Sequence, residues 1–300
     1  NSVSRIWSVS LFLLFLILLV LGWIRIARQH HYPAKYAYLM VIVIFAHFGW
    51  GSALQKLNQG MFVLLFIFGA LLIEEYMTPS VKKDLFTGLL MAFAMIKPQI
   101  SLLFFIPFLL KKRIRPIFVS VLTVLLSWGI VSLVLQTSPI TLLLDQFQVG
   151  ADLETTSSYV YYGLLDPLVP LLGSKWVLVL QALVFIPVAF ILGIRMQKAP
   201  AYILYAIPAT LTTVWCYHHN MDLAIISILL IAVALTIQQG SLQQYVPLLA
   251  LFGLFYLLPI SYSYYEISFW IPLIQRLIYL GMLCFILRIV CKYRELYFAL

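Results

Sequence analysis

Apolar stretches follow one another along the whole chain, with few charges inside them. Eleven are read, at about residues 6–26, 36–53, 60–73, 85–96, 99–110, 115–136, 175–194, 200–216, 221–237, 245–260 and 268–290. A helix perpendicular to a membrane needs about 20 apolar residues to cross the hydrocarbon, so several of these are short. The pair 85–96 and 99–110 is the extreme case: two short helices, a re-entrant pair, or one kinked helix of full length. Of the 300 residues, 64% are hydrophobic and 10% charged, too little polar surface for a soluble domain of this length. The expected fold is therefore all-α, a polytopic transmembrane helical bundle of about 9–11 membrane segments, some short or re-entrant. Long loops are scarce, so residues 1–300 are read as a single transmembrane domain.

Basic residues fix the expected sidedness. The formal charge is +9, which in a soluble protein could point to nucleic acid. Here no basic face stands outside the apolar segments, and cytoplasmic loops are where Lys and Arg accumulate. Of the 19 basic residues, 14 fall inside under one alternating assignment: Arg25, Arg28, Lys35, Lys82, Lys83, Lys111, Lys112, Arg113, Arg115, Arg195, Lys198, Arg288, Lys292 and Arg294. Arg5, Lys56, Lys97, Lys175 and Arg276 fall outside or near the outer boundary. A single full span over 85–110 would invert this order and put Lys111–Arg115 outside. The charge pattern thus favours two short segments with Lys97-Pro98-Gln99 at an outer turn. Cys216, Cys284 and Cys291 show no CxxC spacing, which argues against a disulfide framework or a zinc site. The chain opens on Asn1 rather than Met, and the notation expected is that of a fragment starting inside a loop.

With sidedness assigned, polar residues gather on the outer side. They are Gln55-Lys56-Leu57-Asn58-Gln59, Lys97-Pro98-Gln99, the loop from Thr137 to Ser174, His218-His219-Asn220-Met221-Asp222, and Tyr262 to Glu266. Ionisable groups at membrane depth mark function or a buried pair. Lys97 is the sharpest, because Pro98 biases it away from helix. An ammonium at such a break can meet an anion such as a lipid phosphate, or it can snorkel to the headgroups. His218 and His219 can act as acid or base, contact substrate, or sit at the interface. They make a poor metal site, since adjacent histidines cannot easily share one ion and no third ligand is evident. Arg276, about two turns into the last segment, needs a carboxylate or a lipid phosphate as partner.

Leu54-Gln55-Lys56-Leu57-Asn58-Gln59-Gly60, an apolar span, a charged loop and then Gly88 to Ile96 with Lys97-Pro98-Gln99 resemble glycosyltransferase family 87. Trp215-Cys216-Tyr217-His218-His219 also looks like the family pattern. The resemblance covers about residues 40–240. It departs at Leu57-Asn58-Gln59-Gly60, which holds the residue types of the commoner Gly-Gln-x-Asn element in another order. It implies a GT-C-like fold and a membrane hexosyltransferase, of mannose first, using a polyprenyl-phosphate sugar donor and a lipid or glycan acceptor. The site would face outside the plasma membrane of a bacterium, with no cofactor and no metal. Lys97 and Gln99 would hold the donor phosphate, and His218 or His219 would contact phosphate or acceptor. Gln55, Asn58 and Gln59 would bind sugar hydroxyls, with Asp222 and Arg276 also at the substrate. The family's acidic residue lies in the first outer loop, before the expected start of this chain, so a donor-binding chain without its catalytic base is expected. The competing readings are a transporter or flippase of lipid-linked or small solutes, and a non-catalytic membrane scaffold.

Overall fold

The structure, a computed structural model, describes residues 2–29, 59–142, 168–215, 225–237 and 270–292, with isolated positions at 38, 41, 144, 164, 165 and 253. Among them every regular element is helical: α1 (Ser2–Gln29), α2 (Gln59–Tyr76), α3 (Val81–Ala94), α4 (Pro98–Ser101), a 3-10 turn (Leu102–Phe105), α5 (Ile106–Leu110), α6 (Ile114–Leu135), α7 (Val169–Leu172), α8 (Ser174–Arg195), α9 (Ala201–Trp215), α10 (Ser227–Ile237) and α11 (Trp270–Lys292). Two helices, Ile114–Leu135 and Leu273–Lys292, are long and apolar enough to cross a membrane, and shorter apolar helices accompany them. Apart from the isolated positions 38, 41 and 253, the expected segments 36–53 and 245–260 lie outside the described residues.

The ambiguous stretch 85–110 is a hairpin. Ser80 caps α3, its hydroxyl accepting from the Lys83 amide at 3.2 Å, and Asp84 in the first turn complements the helix dipole. The helix thus starts four residues before the expected 85, because capping chemistry, not hydropathy, sets that end. It stops where Pro98 forces Lys97 to φ −125°, ψ 84°, and Pro98 itself opens α4, a position that needs no amide proton. The chain then returns through the 3-10 turn and α5. Lys112, at φ 54°, closes α5 with the Lys112 amide on the Leu109 carbonyl and the Arg113 amide on that of Phe108. This pair of bonds satisfies the carbonyls a helix end leaves open. Arg113 is delivered back to Asp84, at the start of α3, so the two arms run antiparallel. Each arm, at ~1.5 Å per residue, rises only about 20 Å, against a hydrocarbon core of about 30 Å. The turn at 95–97 therefore stops inside the bilayer's thickness if the arms start at one boundary. Backbones approach closely where α3 meets α6: a Cβ on Gly88 would stand 2.7 Å from the Pro116 carbonyl oxygen.

The helix ends sort into two poles. At one, Tyr76 Oη donates to the Gly22 carbonyl at 3.1 Å, and the Arg25 guanidinium lies over the Tyr76 ring. Glu75 accepts from the Tyr202 amide at 3.0 Å. Glu74 accepts from Arg113 at 2.5 Å and from Thr87 at 3.2 Å. Lys83 donates to the Glu74 and Met77 carbonyls, both at 2.8 Å, and Arg113 also binds Asp84. Every basic group in this pole belongs to the set assigned to the cytoplasm by charge. Burial opposes the Arg113 charge, but hydrogen bonds to Glu74 and Asp84 outweigh it and hold the guanidinium above its ordinary value. A raised arginine contributes at every pH below that value, so Arg113 does not titrate near neutrality.

Helix α9 runs from this pole to the other through the middle of the bundle, with all 15 residues buried. A helix apolar on every side belongs in a core. Two of its threonines satisfy themselves locally: Thr210 donates to Ala206 and Thr213 to Thr210. Helix α6 is peripheral, packed on α3 along one side and exposing Phe118, Leu125 and Leu133 on the other, as a lipid-facing span does.

Candidate functional site

The pole opposite the ionic network is built around the last turn of α9. Four hydrogen bonds leave that turn, from four successive residues. Thr212 Oγ1 donates to the Ile100 carbonyl at 3.2 Å, and Trp215 Nε1 donates to the Gln99 carbonyl at 2.9 Å. The Thr213 carbonyl accepts from Arg276 Nε at 2.8 Å, and the Val214 carbonyl accepts from the Leu164 amide at 2.8 Å. The hairpin tip, α11 and the end of the long 137–174 connection are thereby pinned to one helical turn. A main-chain carbonyl oxygen is a strong acceptor for a guanidinium N–H, and this one partners Arg276, only 4% exposed. Sequence reasoning expected a carboxylate or a phosphate beside Arg276; among the described residues its Nε donates to the Thr213 carbonyl.

Lys97 sits at the tip, half-buried. Its carbonyl accepts from the Ile100 amide at 3.0 Å, the Ser101 amide at 3.2 Å and the Ser101 hydroxyl at 3.2 Å. The tip is thus a closed turn, with the lysine placed by the proline and by Ser101. Gln99, on α4, shares it. Of the sequence-predicted site residues, Lys97, Gln99 and Arg276 are brought to this pole by bonds to each other's neighbours. Gln59 opens α2 at the end far from Tyr76, and α2 packs against α4; its side chain is not among those described. Gln55, Asn58, His218, His219 and Asp222 lie outside the described residues, although Trp215 stands three residues before His218.

Charge is divided between the poles. The carboxylates of the described residues are Glu74, Glu75 and Asp84, all in the ionic network. Lys97 and Arg276 stand at the other end. Among the described residues no group of three His, Cys, Asp or Glu side chains is placed to hold a metal ion. A small apolar cavity among Leu103, Ile106, Ala189, Gly193 and Ile207 lies between α5, α8 and α9, away from either polar cluster, and has no group that could do chemistry. Sequence reasoning missed the part played by Thr212 and Trp215. It also passed over Glu74 and Glu75, two carboxylates at the end of an apolar helix, which the cost of burying charge should have singled out.

The family model for glycosyltransferase family 87 matches residues 2–148. That range takes in the hairpin and its tip. No curated protein and no solved structure matches the chain.

Proposed function

The chain belongs to glycosyltransferase family 87 through residues 2–148, and from that premise we propose that it moves a hexose, mannose first, from a polyprenyl-phosphate donor to a lipid or glycan acceptor. Glycosyl transfer is the activity that membership carries; the donor, the sugar and the side of the membrane are our reading. The observation that supports it most is Lys97, an ammonium at a proline-broken hairpin tip held against the last turn of α9. A lipid phosphate travels within the headgroup plane, and the long lysine side chain snorkels from the tip toward that plane. In this reading the site faces outside the plasma membrane of a bacterium, opposite the cytoplasmic ionic network.

The chemistry is a displacement at the sugar's anomeric carbon. The acceptor hydroxyl forms the new C–O bond as the bond from that carbon to the phosphate oxygen breaks. The polyprenyl phosphate departs with both bonding electrons, and the hydroxyl proton passes to a carboxylate. Lys97 and the Gln99 amide receive the growing charge on phosphate, a stabilisation that acts most in the transition state. Arg276 adds positive potential behind them. His218 or His219 contacts phosphate or acceptor, Gln55, Asn58 and Gln59 hold sugar hydroxyls, and Asp222 faces the substrate. Because Glu74, Glu75 and Asp84 sit in the far network, the proton-accepting carboxylate is one outside the described residues: an acidic side chain of the loop from Thr137 to Ser174, which holds Asp145, Asp152, Glu154 and Asp166, takes the part of the family's first-loop acid. Side-chain cations carry the leaving phosphate in this scheme, with no metal or cofactor in the sequence of steps.

Donor choice tests the reading. The protein, purified and reconstituted in liposomes, is offered polyprenyl-phosphate [14C]mannose, the matching glucose lipid, or a nucleotide sugar, with membrane lipid extract as acceptor. Label is expected to move from the mannose lipid. Transfer from the nucleotide sugar alone, or passage of the intact donor across the bilayer without transfer, would overturn it.

A further inference from the structure

We propose that Trp215 is a positioning residue that sets the height and orientation of the Lys97–Gln99 tip against α9, so that donor affinity depends on an indole that does not itself touch donor. This inference rests on the reading of the tip as the donor-phosphate site.

Three observations carry it. First, the indole N–H donates to the main-chain carbonyl of Gln99 at 2.9 Å, and Trp215 is only 7% exposed. A buried indole N–H without an acceptor is costly, so the bond selects one register of the tip on the helix. Second, Thr212, one turn earlier on α9, donates to the next carbonyl of the tip, that of Ile100, at 3.2 Å. Two bonds to consecutive carbonyls fix rotation as well as distance. Third, the same turn is held from behind by Arg276 on the Thr213 carbonyl and by the Leu164 amide on the Val214 carbonyl. The platform against which the tip is set is therefore itself anchored to two other parts of the chain. The tip needs such a brace. Lys97 is a non-helical residue between two helix ends, and α4 is a single turn, too short to be rigid alone.

The test is a set of steady-state measurements on the reconstituted protein with polyprenyl-phosphate mannose varied against saturating acceptor, and the reverse. Trp215→Phe keeps the ring's packing and removes the N–H. It is expected to raise the donor KM about tenfold, the size of a lost buried hydrogen bond, with kcat within about threefold and the acceptor KM unchanged. Thr212→Val removes the second bond at nearly constant volume and is expected to raise the donor KM about threefold. It serves as the measurement should Trp215→Phe fail to fold. Lys97→Ala is run alongside. If Lys97→Ala raises the donor KM or lowers kcat while Trp215→Phe and Thr212→Val leave the donor KM unchanged, the positioning role is wrong. Equal rises in donor and acceptor KM would also overturn it, because a general loosening of the fold does not choose between substrates. If Lys97→Ala itself changes neither parameter, the reading of the tip as the phosphate site has failed, and the positioning role falls with it.

Discussion

Lys97→Ala is expected to lower kcat/KM for the lipid-phosphate donor by about a hundredfold or more. Removing one donor aimed at charge that develops in a transition state typically costs about 3 kcal/mol, and each ~1.4 kcal/mol is tenfold in rate. The loss should fall on both parameters: the bound donor phosphate is already anionic, which shows in the donor KM, and it carries more charge as it leaves, which shows in kcat. Lys97→Arg keeps the charge but changes the reach and donor geometry, so partial activity, about a tenth, is expected. The fold should survive both changes. The turn is made by the Lys97 carbonyl and by Ser101, and these bonds do not involve the ammonium. Thermal unfolding in detergent should therefore shift little while rates collapse. Unchanged rates in Lys97→Ala would remove the lysine from the mechanism.

Arg113→Ala should act in the opposite way, through stability first. Glu74, with its side chain 5% exposed, and Asp84, at 15%, would each lose a guanidinium partner. Breaking a buried pair on one side leaves an uncompensated charge and costs about 3–5 kcal/mol. The partly exposed Arg113 side chain, at 22%, puts the expected loss near the lower end, about 3 kcal/mol. Lys83, still bound to the Glu74 and Met77 carbonyls, limits the damage. Adding Glu74→Gln to Arg113→Ala should recover part of the loss by removing the stranded carboxylate, as measured by denaturant or thermal unfolding in detergent. Additive losses in the double variant would mean that the two side chains are not coupled. Because Arg113 and Asp84 close the base of the hairpin whose tip bears Lys97, transfer should weaken in Arg113→Ala even at temperatures where the protein stays folded.

Much of this arrangement was legible in the residues. Periodic loss of charge marked the helices, and the lysine and arginine pattern favoured a chain that turns back at Lys97-Pro98. The structure shows that turn, with Arg113 returned to Asp84. Proline chemistry explains why: Pro98 ends one helix and begins the next. Helix starts set by polar residues were less legible. Ser80, Lys82, Lys83 and Asp84 are charged or hydroxylated, so hydropathy begins α3 late, whereas the Ser80 cap begins it at Val81. Tertiary bonds were not legible at all. Nothing in the spacing of Gln99, Trp215 and Arg276 announces that one helical turn joins them, because main-chain acceptors such as the Gln99 and Thr213 carbonyls look alike at every residue. Arg276 shows the limit well. Its need for a partner followed from burying charge, but one acceptor that its Nε meets, the Thr213 carbonyl, is a backbone oxygen that no sequence pattern identifies.

The central claim is that the lipid phosphate docks at the hairpin tip, and photo-crosslinking tests it most directly. A polyprenyl-phosphate mannose carrying a photoreactive group beside the phosphate is irradiated with the reconstituted protein, and the adducts are mapped by mass spectrometry. Adducts are expected within residues 97–101, competed by unlabelled donor and reduced in Lys97→Ala. Adducts confined to the exposed face of α6, or to the pole of Glu74 and Arg113, would contradict the claim.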